Sequence, residues 1–592
     1  MRVIVQAQRG RNFRNVTLDV DASSTIDEVL DQYMEETGGW KQMGDDTPSL
    51  HSATGAELDP LETLTDLRIK EGATILLKVR PSQASISRRS WRCIAFTISL
   101  IVACCLGVAG VVLAQTFIRL KGDPYTYGVV LDAGSSHTDV YVYRWMGEKD
   151  KGTGAVTQYG DVCSAKGGGI SKFVQNPSGA GPSLASCLDT VTSMIPSAKY
   201  TTTRIYLGAT AGMRKLNSTD PETANKIMDS VRETMAKSPF LFNSSQARII
   251  SPEVEGVSGW ITVNYLLKNL DNDKLLSSGD LRGALDMGGA SEQITFVSEK
   301  PTQGGYSIQL YGVSHQLYTH SYMCYGMNEA ERQYLALLVG NKTSNVIENP
   351  CGFVGYNATK TFSGVYSPPC TRALPGSTFS KETTFTFVGT GKPAECSKTI
   401  TRLFNSTCPY NGQCGFNGVY QPPLPAGKMF NAFSGYSYPV QFLNLPTNEA
   451  IALNDLSKSA NNLCQKSWKE VSQIPSADFT EEQKARMCLS SQYVLANLLA
   501  LHFPPASKTI QFSPEIDDTD LGWALGFMIN ATNMIPAEKP LKMKPMANWV
   551  YIVALASISF SFFLLTVPLI IWGVRRKHRK SQKYLALQES HF

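Results

Sequence analysis

Two long uncharged stretches constrain this chain more than any other feature: Cys93 to Phe117 is 25 residues without a charge, and Trp549 to Val574 is 26. An uncharged, apolar run of more than about 18 residues is long enough to cross a bilayer as a helix. Both are therefore read as transmembrane helices, 93–117 and 549–574. Arg88, Arg89 and Arg92 precede the first, and Arg575, Arg576, Lys577, Arg579 and Lys580 follow the second. Basic flanks stay on the cytosolic side, so both termini are expected in the cytosol, with 575–592 as a cytosolic tail and 118–548 outside. The first apolar run begins too far into the chain for a cleaved signal peptide.

The cysteines and the charge fit that topology. Of the 13 cysteines, Cys93, Cys104 and Cys105 fall in the first run, and the other ten lie between the runs. No CxxC, HExxH or zinc-finger spacing gives them a metal role. An even number in an oxidising compartment predicts five disulfides, with the connectivity left open by the sequence. The acceptor triplets at Asn217, Asn243, Asn341, Asn357, Asn405 and Asn530 also fall between the runs, and only Asn15 lies in the cytosolic part, which predicts N-glycosylation of the outer portion. With 43% hydrophobic residues the chain must bury large cores, and a net charge of +5 that includes 50 carboxylates excludes nucleic acid as the main partner.

Residues 1–80 read as a separate small α+β domain. Val3, Val5 and Ala7 alternate as in a strand, a polar turn at Gly10 and Arg11 follows, and Val16, Leu18 and Val20 alternate again. Ser23 and Ser24 are the expected caps of a helix carrying Ile26, Val29, Leu30 and Met34; Leu61, Leu64 and Leu67 then lead to a last strand, Ala73 to Val79. This order, with LTDL at 64–67 and GATI at 72–75, resembles ubiquitin-like β-grasp domains. No Gly-Gly tail follows Arg80, so the resemblance implies a docking module for an unidentified cytosolic partner.

Between the runs one pattern occurs twice. VVLDAGSSHT at 129–138 runs apolar into Asp132, turns through glycine and serine, and resumes strand alternation at Val140 and Val142; ALDMGGAS at 284–291 repeats it around Asp286 and leads into Ile294, Thr295 and Phe296. Glycine permits a tight backbone whose N–H groups can surround phosphate oxygens, serine hydroxyls add donors, and an Asp at a strand end can hold a hydrated divalent cation. Two such hairpins facing one cleft could clamp a polyphosphate. Neither a GxxxxGK[ST] loop nor a GxSxG elbow is present, which leaves P-loop and serine-hydrolase mechanisms unsupported.

The segments DAGSSHT (132–138), GATAGMR (208–214), EGVSGW (255–260), DMGGAS (286–291) and GWALG (522–526) resemble, in order, the five conserved regions of the ecto-nucleoside triphosphate diphosphohydrolases. The resemblance implies a two-lobed, actin-like (ribonuclease-H-like) α/β fold, with lobe I at 122–251 plus 516–546 and lobe II at 252–515. It also implies hydrolysis of nucleoside tri- and diphosphates with Ca²⁺ or Mg²⁺, and disulfides Cys163–Cys187, Cys324–Cys370, Cys351–Cys396, Cys408–Cys414 and Cys464–Cys488. By the same match Glu255 is the base that activates water, with Glu253 its nearest rival. Ser291 and Gln293 orient that water, and Asp132 and Asp286 hold the metal through its water shell. Ser135, Ser136, His137, Thr210, Gly288, Gly289 and Ala290 bind phosphate; Tyr438 stacks on the nucleobase, with Tyr436 a packing residue and Lys484 or Arg486 a cationic partner; Trp523 lies behind the ligand-contacting residues.

Two sequence details depart from the pattern or refine it. Glu292 stands where similar sequences carry threonine, and a carboxylate there must either point away from phosphate or repel it, which the sequence leaves open. Glu255 is expected at a turn leading into a helix that starts near Trp260. The expected site is a plasma membrane with the catalytic domain extracellular; Golgi or lysosomal lumen is topologically equivalent, and a non-catalytic nucleotide receptor is the reading from another class. Homo-oligomerisation stays open.

Overall fold

The computed structural model describes residues 1–9, 12–38, 47–80, 83–119, 123–149, 151–270, 281–298, 303, 305–476, 478–537 and 548–589. The chain divides into two compact units, Met1–Gly122 with Lys542–Phe592, and Asp123–Leu541.

In the first unit, strands β1 (Arg2–Arg9), β2 (Asn12–Asp19), β3 (Thr47–His51) and β4 (Thr74–Arg80) form a sheet ordered β2-β1-β4-β3, with β1 and β4 parallel and both outer pairs antiparallel. The helix Ile26–Thr37 is capped by Thr25 rather than by Ser23 or Ser24. The Thr25 hydroxyl accepts from the Glu28 N–H, the Glu28 carboxylate accepts from the Thr25 N–H, and Gly38 ends the helix in the left-handed region. Val3, Val5, Leu18, Ile26, Val29, Met34, Leu64 and Ile75 form its core, whereas Leu61 is 83% exposed. The expected turn at Gly10 and Arg11 lies outside the described residues. Two long helices follow the apolar runs, Gln83–Arg119 and Asn548–Glu589, and their spans Ile94–Leu113 and Val550–Arg575 are apolar enough to cross a membrane.

The second unit is built on two sheets. One runs β10 (Ala247–Ile249), β9 (Arg204–Ala209), β5 (Tyr125–Ala133), β6 (Thr138–Met146), β7 (Thr157–Gln158), with β8 (Cys163–Ser164) also on β6. The other runs β13 (Gly305–Leu310), β14 (Val313–Met323), β12 (Ser291–Val297), β11 (Gly283–Met287), β18 (Phe430–Ser434), β20 (Ile510–Phe512), β19 (Ala450–Ile451). A small sheet of β15 (Val346–Asn349), β17 (Thr384–Gly389) and β16 (Asn357–Thr361) flanks it.

Each large sheet has its own core on one face, and a third core joins them. The third core is centred on two crossing helices, Pro252–Leu266 and Trp523–Thr532. Their backbones touch: a Cβ on Gly526 would lie 1.9 Å from the Ser258 carbonyl oxygen, and the Gly526 N–H donates to Thr262 Oγ1 at 2.9 Å. Only a residue without a side chain allows that approach. Disulfides join Cys163–Cys187, Cys324–Cys370, Cys351–Cys396, Cys408–Cys414 and Cys464–Cys488. Asn217, Asn243, Asn341, Asn357 and Asn405 are exposed and Asn530 is half-buried.

Candidate active site

The two similar hairpins meet at their tips. β5 and β6 pair at Ala133–Thr138, and β11 and β12 pair at Met287–Glu292, with the Gly288 N–H donating to the Ser291 carbonyl at 2.9 Å. A Cβ on Gly289 would sit 2.6 Å from Ser135 Oγ, and one on Gly212 would sit 2.8 Å from Ser135 Cα, so glycine lets the two loops and the start of the helix Ala211–Thr219 close on one another. Behind the second loop, the Gly288 carbonyl accepts from Met327 and the Gly289 carbonyl from Asn328, which satisfies the first N–H groups of the helix Met327–Val339. Among the described residues, the N–H groups of Ser135, Ser136, Gly289 and Ala290 donate to no protein acceptor. Ser136 and His137 are exposed: Ser136 Oγ lies 2.8 Å from His137 Nδ1, and His137 Nε2 lies 3.2 Å from Asp139. Thr210 is buried where β9 ends, its N–H bonded to the Ala133 carbonyl.

Three carboxylates face the same space. Asp132 and Asp286 are each the last residue but one of their strands, β5 and β11. Burial raises Asp132 well above its ordinary value, with the charge of Glu255 as the second cause, and the Trp523 indole opposing. Asp286 is pushed up to about 7 by burial and then by Glu255, against the Ser434 hydroxyl. Asp132 Oδ1 is buried without a partner. Buried, mutually repelling carboxylates with an unpaired oxygen suit a divalent cation. Among the described residues, no group of three His, Cys, Asp or Glu converges closely enough to chelate one directly.

Glu255 lies in the first turn of the helix Pro252–Leu266, not at a turn before it. Ser251 caps this helix and Pro252 occupies its first position. Gly256 and Gly259, residues that favour turns, here serve close packing. A Cβ on Gly256 would meet Thr319 Oγ1 at 2.5 Å, and one on Gly259 would meet the Phe433 ring at 3.2 Å. Residues 255 to 264 are buried all round, while Glu253 is exposed and its charge acts on His320.

Arg214, which the sequence reading left without a role, ties the site together. Its Nη2 donates to Glu255 Oε2 at 2.6 Å and to Ser291 Oγ at 3.2 Å, and its Nη1 donates to the Ile250 carbonyl. Gln293 Nε2 donates to Ser291 Oγ at 2.7 Å and Ser321 Oγ at 3.0 Å, leaving Gln293 Oε1 buried with no partner. The signal available in sequence for Arg214 was its position closing the GATAGMR segment.

Tyr438 is 50% exposed, and its hydroxyl is raised by burial and then by the charges of Asp286, Asp520 and Asp139. Lys484 and Arg486 are engaged elsewhere, Lys484 with Glu481 at 3.2 Å and Arg486 with Glu331 at 3.0 Å and Glu482 at 3.4 Å. Trp523 is buried and its ring packs 2.3 Å from where a Gly208 Cβ would be; Gly208 pairs with Asp132 across the sheet. Glu292 points away from the loops, into the core behind the sheet, where Tyr436 and Asn497 bond it.

A family model described as the GDA1/CD39 (nucleoside phosphatase) family matches residues 120–544. The chain belongs to that family. Among its family relatives, mouse ectonucleoside triphosphate diphosphohydrolase 1 is 38% identical over 466 residues, covering 76% of this chain and 88% of that protein. The bovine protein of the same name is 38% identical over 523 residues, 85% of this chain and 97% of the other. A crystal structure of nucleoside triphosphate hydrolases from Neospora caninum superposes with a TM-score of 0.54 at 14% identity, covering 76% of this chain and 98% of that one. That likeness establishes a shared fold.

Proposed function

We propose that the protein is a membrane-anchored nucleotidase that hydrolyses nucleoside tri- and diphosphates to monophosphates and phosphate at the cell surface. The family and the names of its relatives support the substrate class. Two apolar helices, ten disulfide-bonded cysteines between them and exposed acceptor asparagines support anchoring with residues 123–541 outside.

The observation that carries the mechanism is the unpartnered Gln293 Oε1 beside Ser291 Oγ and Glu255. A water accepted by this trio has two groups to orient it and one carboxylate to take its proton, and Arg214 leaves Glu255 Oε1 unengaged for that transfer. The loops at 134–137 and 288–290 offer N–H groups to the phosphate oxygens, with Thr210 at a helix start beside them. Asp132 and Asp286 would hold Ca²⁺ or Mg²⁺ through its water shell, and an ion held there would supply positive charge to offset that of the transferring phosphoryl group. No covalent enzyme intermediate is required.

The test is phosphate release from intact cells supplied separately with ATP, ADP and UDP, with and without chelator, for the wild type and Glu255→Gln. Loss of a general base lowers turnover by roughly 100-fold to 10,000-fold, and near-normal hydrolysis by the glutamine variant at equal surface expression would refute the assignment.

A further inference from the structure

Glu292 sits on β12 between Ser291 and Gln293, and strand alternation turns its side chain to the opposite face of the sheet. It is wholly buried. Tyr436 Oη lies 2.8 Å from Glu292 Oε1 and 2.6 Å from Asn497 Oδ1, and Asn497 Nδ2 lies 2.5 Å from Glu292 Oε2. The three side chains come from β12, from the residue that opens the helix Ser437–Phe442, and from the helix Met487–Ala500.

Three contacts need three protons. The Tyr436 hydroxyl supplies one and the Asn497 amide supplies one. As drawn, Tyr436 donates to Asn497 Oδ1 and the amide donates to Oε2, so the contact at Oε1 needs a proton on Glu292. Reversing the amide leaves the count unchanged: Asn497 then donates to Tyr436, Tyr436 donates to Oε1, and two acceptor oxygens face each other at Oε2 unless the carboxyl carries a proton. Burial acts in the same direction, pushing Glu292 up to about 8, with Tyr436 and Asn497 offsetting only part of the rise. The titratable groups facing it are tyrosines: Tyr322 on β14, Tyr325 just beyond it, Tyr436, and Tyr493 on the helix Met487–Ala500. No cation contributes to its titration.

We propose that Glu292 is a positioning residue whose carboxylic-acid proton closes a ring with Tyr436 and Asn497, fixing the strand that carries Ser291 and Gln293 relative to the short helix that carries Tyr438. This rests on the nucleotidase reading of the site and adds a determinant of nucleobase affinity. When Glu292 ionises, both partners donate to it, and Tyr436 Oη and Asn497 Oδ1 face each other with no proton between them. The ring opens. Glutamine has the same shape and always supplies the third proton from its amide.

The test compares KM and kcat for ADP and for inorganic tripolyphosphate, which has no base. It uses membranes bearing the full-length wild type, Glu292→Gln, Glu292→Ala and Tyr436→Phe, between about pH 6 and 10, a range chosen to bracket the titration of a buried carboxyl. Breaking the ring raises KM for ADP by roughly 3-fold to 10-fold, the worth of about one hydrogen bond, in the alanine and phenylalanine variants, with tripolyphosphate kinetics unchanged. Glu292→Gln matches the wild type at neutral pH and lacks the rise in ADP KM that the wild type shows above about pH 8, where Glu292 loses its proton. Equal effects on ADP and tripolyphosphate, a glutamine variant that behaves like alanine, or coincident alkaline limbs would each overturn the proposal. A wild type inactive on both substrates overturns the nucleotidase reading and the proposal together, whereas an active wild type with an unaffected alanine variant overturns the proposal alone.

Discussion

Arg214 bonds Glu255 at 2.6 Å, and the same nitrogen reaches Ser291 at 3.2 Å. One guanidinium thus sets the spacing between the proposed base and a hydroxyl that orients its water, using side chains that lie 41 and 77 positions away in the chain.

Removing that clamp misplaces reacting groups without emptying the substrate site. Arg214→Ala is expected to lower kcat for ATP and ADP roughly 10-fold to 100-fold with a smaller change in KM. Arg214→Lys fails to restore it, because a single ammonium cannot span both partners and the Ile250 carbonyl. Steady-state kinetics at matched expression decide it; a lysine variant with wild-type kcat contradicts the clamp.

Gly289→Ala tests the contact between the loops. The added methyl lands 2.6 Å from Ser135 Oγ and 2.8 Å from Asn328 Nδ2, so the proposed phosphate-binding hydroxyl of Ser135 must leave its place. Hydrolysis of every substrate falls, inorganic tripolyphosphate included, and kcat/KM is the quantity to measure.

Tyr438→Ala separates base recognition from phosphate chemistry. Base stacking on an aromatic ring contributes on the order of 1 to 3 kcal/mol. KM for ADP and UDP rises accordingly, while KM for tripolyphosphate stays put; a parallel rise for all three places the base contact elsewhere.

Stability depends on pH through Glu292. Its carboxyl titrates near 4.5 ordinarily and near 8 when buried here, so between those values the folded chain holds a proton that the unfolded chain has released. Stability therefore falls as pH rises through that window and levels off above about 8. Glu292→Gln removes this contribution and leaves those of Asp132 and Asp286. Melting curves of the detergent-solubilised protein should coincide near pH 4.5 and diverge towards pH 8 with the glutamine variant more stable, whereas a pH-independent difference argues against a neutral Glu292.

Residues 1–80 have a core of their own, so a chain lacking them is expected to retain its turnover per surface molecule. Counting surface protein by biotinylation alongside phosphate release checks this; a large drop means the head acts on catalysis.

Where periodicity and glycine chemistry agreed, the sequence was readable. Val3, Val5, Leu18 and Ile26 are in the head's core because alternation and helical spacing point the same way there. β3 escaped notice because Pro48 and His51 break the strand pattern. Asp132 and Asp286 stood out through repetition, and the loops that follow them touch at Ser135 and Gly289. The start of the Glu255 helix was misread since Gly256 and Gly259 look like turn residues, when their function is to let a buried helix approach β14 and β18. The role of Arg214 depends on which distant side chains converge on it, and no local pattern encodes that. Strand alternation alone could have aimed Glu292 away from Ser291.

The disulfides set a schedule for assembly. Each bridge closes a short stretch, the widest being Cys324–Cys370 at 46 residues, and all ten cysteines precede the helix Trp523–Thr532. That helix returns to the beginning of the unit, where Lys149 Nζ bonds the Thr532 carbonyl and the Gly154 N–H bonds Thr532 Oγ1. A chain synthesised from its N-terminus can thus oxidise every covalent cross-link while its last helix is still unmade, so the final docking step closes two already stapled halves around the cleft by non-covalent contacts alone.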